Sequence, residues 1–169
     1  WGIFAARTYG ETDAFLAFNR NKRSVEVDLR DAEDLERILE LVEKADVVVE
    51  NFRPGVMDRA GLGYDVLRTR NPRLIYAASS GYGQSGPYVK RPGQDYLLQA
   101  LTGAMWLSGR RSDPPLLMGV AVTDHYTGLH LVVGILAALQ HRHRTGEGQR
   151  VDVDLLSCIL ALQQQELTV

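Results

Sequence analysis

The chain has 169 residues, a length that suggests one domain, and is 45% hydrophobic and 24% charged, an ordinary composition with enough apolar material for a core. Its formal net charge is −2, and it carries no clustered excess of Lys and Arg of the kind that marks a nucleic-acid footprint. The longest apolar stretch, residues 129–139, falls far short of the roughly 20 residues that span a bilayer, so no membrane partner is expected. No charged leader followed by an apolar core opens the chain, so no signal peptide is expected either. A single cysteine, Cys158, rules out an internal disulfide framework and fits a reducing compartment, with the cytoplasm as the expected location. The chain opens on Trp1-Gly2-Ile3-Phe4 and ends on Leu167-Thr168-Val169 inside a helical pattern, which reads as part of a longer protein.

Residues 1–19 mix aromatics with turn residues and are predicted to be mostly irregular. Ser24-Val25-Glu26-Val27-Asp28-Leu29 alternates apolar and polar, the pattern of a half-buried strand. Asp31 reads as an N-cap, and Leu35, Ile38, Leu39 and Val42 follow at helical spacing on one apolar face. Val47-Val48-Val49 is a short β-branched strand of the buried kind. Short helices are predicted over 55–60 and 65–70, the second stopped by Asn71-Pro72, because a residue before proline avoids helical angles. Leu74-Ile75-Tyr76-Ala77-Ala78 is a third strand. Alternating strands and helices imply an α/β fold: a parallel, Rossmann-like sheet with crossover helices. After residue 90 the texture turns mainly helical, with helices predicted at about 93–107 and 124–144. The second presents Leu129, Val132, Val133 and Leu136 at helical spacing, with Gly146 available as its C-terminal cap. A strand over 150–154 and a terminal helix from Leu155 complete the chain.

Gly81-Tyr82-Gly83-Gln84-Ser85-Gly86 matches the G-x-G-x-x-G fingerprint after a strand. Pro87 follows at once, so no helix can open on the loop to meet a pyrophosphate, and no acidic residue lies about 20 positions on. A glycine loop is the better reading. The histidines pair at spacings of five (His125, His130) and two (His141, His143), not the i,i+4 spacing of a metal-binding helix, so no metal is expected. His141-Arg142-His143-Arg144 reads as a solvated helix C-terminus whose cations offset the dipole. Cys158, among leucines and isoleucine, reads as a small buried hydrophobe rather than a thiolate.

Asp124 ends the run Met118-Gly119-Val120-Ala121-Val122-Thr123-Asp124 and is followed by His125-Tyr126-Thr127-Gly128 at a helix start. As an N-cap it would contribute about 1 kcal/mol, and taken alone that reading is the stronger. The same helix terminus would also keep the carboxylate ionised, and an ionised, poorly hydrated carboxylate is a competent nucleophile toward a thioester or anhydride. Asp95, in Pro92-Gly93-Gln94-Asp95-Tyr96, lies in a separate turn before another helix, and nothing local brings the two together.

Several segments in order resemble one family. Asn19-Arg20-Asn21-Lys22-Arg23-Ser24-Val25-Glu26-Val27-Asp28-Leu29, then Ala45-Asp46-Val47-Val48-Val49-Glu50-Asn51-Phe52-Arg53-Pro54-Gly55, are similar to the class III CoA-transferases. That group includes formyl-CoA transferase, the carnitine dehydratase-like and bile-acid-inducible F-like proteins, and α-methylacyl-CoA racemase. Asn71-Pro72-Arg73-Leu74-Ile75-Tyr76, Gly81-Tyr82-Gly83-Gln84-Ser85-Gly86-Pro87 and Arg144-Thr145-Gly146-Glu147-Gly148-Gln149 match in the same register, over nearly the whole chain.

The resemblance implies an acyl-CoA:carboxylate CoA-transferase, with coenzyme A entering as the acyl-CoA donor and a small carboxylic acid as acceptor. It implies that Asp124 is the attacking carboxylate, through an aspartyl anhydride and an aspartyl-CoA thioester. An unperturbed aspartate, with a pKa of about 3.9, is almost wholly ionised at neutral pH. By the same resemblance Asp95 stands where formyl-CoA transferase has an acidic residue near its nucleophile. CoA contacts fall on Val27, Arg30, Asn51, Phe52 and Arg59, with the two arginines suited to phosphate. Gln94 stands where the racemase branch has a proton-transferring His, and glutamine cannot exchange a proton in that role. Transfer is therefore preferred, with a racemase-like isomerase and a non-catalytic CoA-binding protein as alternatives. Residues 1–110 would form part of a Rossmann-like CoA-binding large domain. Residues 111–169 would supply the nucleophile-bearing helix, a strand and a terminal helix leading toward a small domain. Full members extend beyond both ends of this chain and interlock as homodimers with each active site at the interface, so the chain alone is not expected to complete that site.

Overall fold

In the computed structural model, residues 13–107, 109–110 and 112–168 are described. Helix α1 (Asp13–Asn19) opens the described part, so the irregular reading fails for those seven residues, and the rest of 1–19 lies outside the described residues. Residues 24–29 form no strand, against their alternating pattern. Alternation alone does not make a strand without a partner to take its hydrogen bonds. Here local polar contacts serve instead: the Asp28 amide donates to Asp34, and Asp28 accepts from Arg30, while Val25 is left exposed.

Helix α2 (Ala32–Lys44) starts as expected. Asp31 caps it, accepting from the amides of Glu33 and Asp34 at 2.9 and 3.0 Å. Its far end is held from outside, because Asn71 donates through Nδ2 to the carbonyls of Val42 and Ala45. Strand β1 (Val47–Glu50) leads to α3 (Val56–Arg59) and α4 (Tyr64–Arg70), and then to β2 (Ile75–Ser80). Helix α5 (Asp95–Leu101) is shorter than the predicted 93–107, and a 3₁₀ turn (Ala104–Trp106) follows a left-handed Gly103. Helix α6 (Val122–Thr145), β3 (Arg150–Asp154) and α7 (Leu155–Leu162) finish the fold close to expectation, with Gly146 at φ 81° closing α6.

The three strands are parallel in the order β1-β2-β3, with Val47 opposite Ile75 and Ser80 opposite Asp154. Every residue of β2 is buried, as a central parallel strand covered on both faces requires. β1 is not of that kind. It is an edge of the described sheet, and Val49 is 60% exposed. One core gathers Val42, Leu62, Leu67, Leu74 and Tyr76 beneath α2 and α4. A second packs Leu98 and Ala104 against Leu155 and Ile159 of α7.

At 24 residues α6 is, by length and composition, long and apolar enough to cross a bilayer, which the shorter apolar stretch did not suggest. Its Thr123, Thr127, Leu131 and Ala138 are nevertheless buried, and the helix packs on β2, β3, α5 and α7. The predicted apolar face of Leu129, Val132, Val133 and Leu136 points the other way and is exposed. At the C-terminal end, Arg142 is not solvated as the sequence suggested. Its guanidinium meets Asp46 at 2.8 Å and donates to the Arg73 carbonyl, tying α6 to the entry of the sheet.

Candidate active site

In a parallel sheet all strand ends point the same way, and the loops beyond the carboxyl ends are where ligands of open α/β sheets bind. Here Glu50, Ser80 and the start of α7 at Leu155 reach one edge of the sheet, and with the loops beyond them they line a cavity of about 1040 Å³. The segment 117–121 and the first turn of α6 form another wall. Two loops of its lining meet at Gly81 and Gly93 without side chains between them. A Cβ on Gly81 would stand 2.6 Å from the Gly93 Cα, and one on Gly93 would stand 2.4 Å from the Gly81 Cα. Only glycine at both positions permits that approach.

Asp124 sits in the first turn of α6 and opens onto this cavity. It does not cap its own helix. The amides of Thr123 and Asp124 donate instead to Oδ1 of Asp95, at 2.7 and 3.2 Å. Asp95, buried at the start of α5, therefore caps α6 from a different helix. Its Oδ2 accepts from Gln99 Nε2, one turn along α5. Gln99 Oε1 accepts in turn from the Met118 amide at 3.0 Å. The capping expectation for Asp124 is thus corrected. The separation of Asp95 and Asp124 in sequence is closed by the packing of α5 against α6.

Partial burial pushes the Asp124 carboxyl up from its ordinary value, the Asp95 charge pushes it the same way, and His125 opposes both. The sequence suggested an unshifted aspartate at a helix terminus. With Asp95 already on the free amides, burial and like charge dominate. His125 is held by its Nδ1 donating to the Ala121 carbonyl at 2.7 Å. Across the cavity, burial raises the Glu50 carboxyl, against the Phe52 amide that it accepts from at 2.7 Å and the charge of Arg150.

Asn51, Phe52, Gln94, Asp95 and Asp124 all line this one cavity. Asn51 is fixed by donating to the Ser79 carbonyl at 2.9 Å, across the β1–β2 edge. Val27, Arg30 and Arg59 are not among its lining residues. Arg30 is exposed and paired with Asp28 at 3.0 Å, and Arg59 closes the short α3. Two lining cations escaped the sequence reading: Arg53, beside Asn51 and Phe52, and Arg91, whose guanidinium lies 4.2 Å from the Tyr88 ring centroid. Gln99 escaped it too, although an Asp and a Gln at i,i+4 are a recognised helix pair. Among the described residues no group of three or more His, Cys, Asp or Glu is placed to hold a metal. Cys158 is buried as expected, and burial raises its thiol.

The family described as CoA-transferase family III matches residues 3–169. The chain belongs to CoA-transferase family III. An acyl-CoA transferase of Fusarium pseudograminearum (strain CS3096) is 51% identical over 148 residues, which cover 88% of this chain and 32% of that protein. An acetyl-CoA:oxalate CoA-transferase of Acetobacter aceti is 44% identical over 167 residues, covering 95% of this chain and 43% of that one. Among solved structures, a CaiB/BaiF family protein from Brucella suis superposes with a TM-score of 0.88 at 41% identity, covering 98% of this chain and 45% of its own. The described residues thus have the family III fold, and the chain spans less than half the length of these relatives.

Proposed function

We propose that the intact protein transfers CoA from an acyl-CoA to a carboxylic acid, with Asp124 as the nucleophile. The observation that carries this reading is the freedom of the Asp124 carboxylate. It stands on the first turn of α6, open to the cavity, while Asp95 satisfies the amides that a helix-start carboxylate usually takes. A carboxylate not used as a cap, and raised in basicity by burial and a like charge, is suited to attack.

In the reaction the Asp124 carboxylate attacks the thioester carbonyl, the C–S bond breaks, and a mixed anhydride forms with release of CoA thiolate. The thiolate attacks the aspartyl carbonyl, expels the donor acid and leaves an aspartyl-CoA thioester. The acceptor carboxylate then displaces CoA to form a second anhydride. Attack by the returning thiolate on the acceptor carbonyl releases the new acyl-CoA and restores Asp124. No base has to remove a proton in any step, because every nucleophile is already an anion. In this reading Asn51, Phe52 and the two arginines that line the cavity, Arg53 and Arg91, hold CoA and the acids. Gln94 at the cavity supplies no proton-transfer group, which favours transfer over α-carbon isomerisation. The open face of α6 and the family resemblance support a homodimer as the working assembly.

The test is Asp124→Ala in the intact protein, assayed over a panel of acyl-CoA donors and acids. Loss of transfer on the order of 10³-fold or more is expected, with CoA binding retained. Undiminished transfer would sink the reading, and tight CoA binding without turnover in the wild type would point to a binding protein.

A further inference from the structure

We infer that Gln99 is a positioning residue for the transfer reaction, aligning the Asp124 turn through Asp95 and through the segment that precedes α6. The inference rests on Asp124 being the attacking carboxylate. Gln99 has no exposed surface, and its amide is used at both ends. Nε2 donates to Asp95 Oδ2, and Oε1 accepts from the Met118 amide. The orientation of that amide is fixed by its partners. The Met118 N–H can only donate, so it must meet Oε1, and Nε2 must then face Asp95. Asp95 accepts in all three of its contacts, the pattern of a carboxylate anion. One glutamine therefore fixes the rotation of the carboxylate on which the first turn of α6 hangs. It also pins the wall that runs from Met118 to the helix start. Gln99 borders the same cavity, but both ends of its amide are taken by Asp95 and Met118, so it acts through them and is not itself a catalytic residue.

Replacing Gln99 separates these functions. Gln99→Leu keeps the bulk and removes both hydrogen bonds. Gln99→Glu keeps the acceptor for Met118 but can donate to Asp95 only while protonated. The introduced carboxyl would face Asp95 and, next to it, Asp124, so the bridge in Gln99→Glu should hold while that carboxyl is protonated and break by carboxylate repulsion once it ionises as the pH rises.

The experiment uses the intact protein. Gln99→Leu is expected to lower kcat about 10²-fold, the scale of a misplacement near 1 Å, with KM for acyl-CoA little changed. The ratio of Gln99→Glu to wild-type kcat is expected to start near one at acid pH and fall as pH rises. A purely structural role would not produce that slope. Hydrogen exchange over 117–124 reads the tether without any turnover, and faster exchange in Gln99→Leu is expected. A Gln99→Leu enzyme with wild-type kcat, a flat Gln99→Glu ratio, or unchanged exchange overturns the proposal. A wild-type protein that transfers nothing counts against the transferase reading instead, and the exchange measurement still decides the tether.

Discussion

A carboxylate on the first turn of a helix usually serves that helix, and Asp124 does not, because Asp95 takes the Thr123 and Asp124 amides. This has a consequence for stability. The Asp124 carboxyl is raised in the folded chain by burial and by Asp95. The folded state therefore holds the proton more tightly than the unfolded state, and stability falls as pH rises from the ordinary carboxylate value through the raised one. At neutral pH the ionised group opposes folding, and below its unfolded pKa that opposition is gone. Asp124→Asn is accordingly expected to stabilise the protein at pH 7 by less than about 1 kcal/mol, since the open cavity screens the charge. The gap should close toward acid pH in paired thermal melts. A destabilised Asn variant at neutral pH would mean that the fold favours the ionised carboxylate, against the raised value. Both carboxylates were visible in the sequence. Their pairing was not, because it spans two helices that only tertiary packing brings together. Gln99 was missed for the opposite reason: its i,i+4 relation to Asp95 is local, but a buried glutamine looks like any other helix residue until its partners are placed.

At the scale of elements, the sequence was legible wherever periodicity and a capping residue agreed. Asp31 opens α2 and Gly146 closes α6 as their types require. The failure at 24–29 is instructive, since its alternation is genuine but the described sheet begins at β1. The glycine loop after β2 was read as not binding a dinucleotide, and its positive role emerges only in three dimensions. Gly81 and Gly93 let two loops touch in the lining of the cavity. Gly93→Ala must push them apart and is expected to cost about 1–3 kcal/mol, as other overpacked sites do, seen as a lower urea midpoint. An unchanged midpoint would show that the loops part freely and that the close approach does not shape the site.

At the scale of the molecule, a parallel sheet aims β1, β2 and β3 at one cavity, so residues as distant in sequence as Asn51, Asp95 and Asp124 converge. That convergence follows from the strand–helix alternation, which the sequence did reveal. The outward face of α6 did not follow from it. A helix with apolar residues on both faces gives no local sign of which one the core takes. The central claim is that Asp124 becomes acylated during turnover. It is tested most directly by incubating the intact protein with acyl-CoA and hydroxylamine and mapping the product by peptide mass spectrometry. The expected result is a hydroxamate on Asp124 that forms only when acyl-CoA is present. An active enzyme whose Asp124 stays unmodified under those conditions would contradict it.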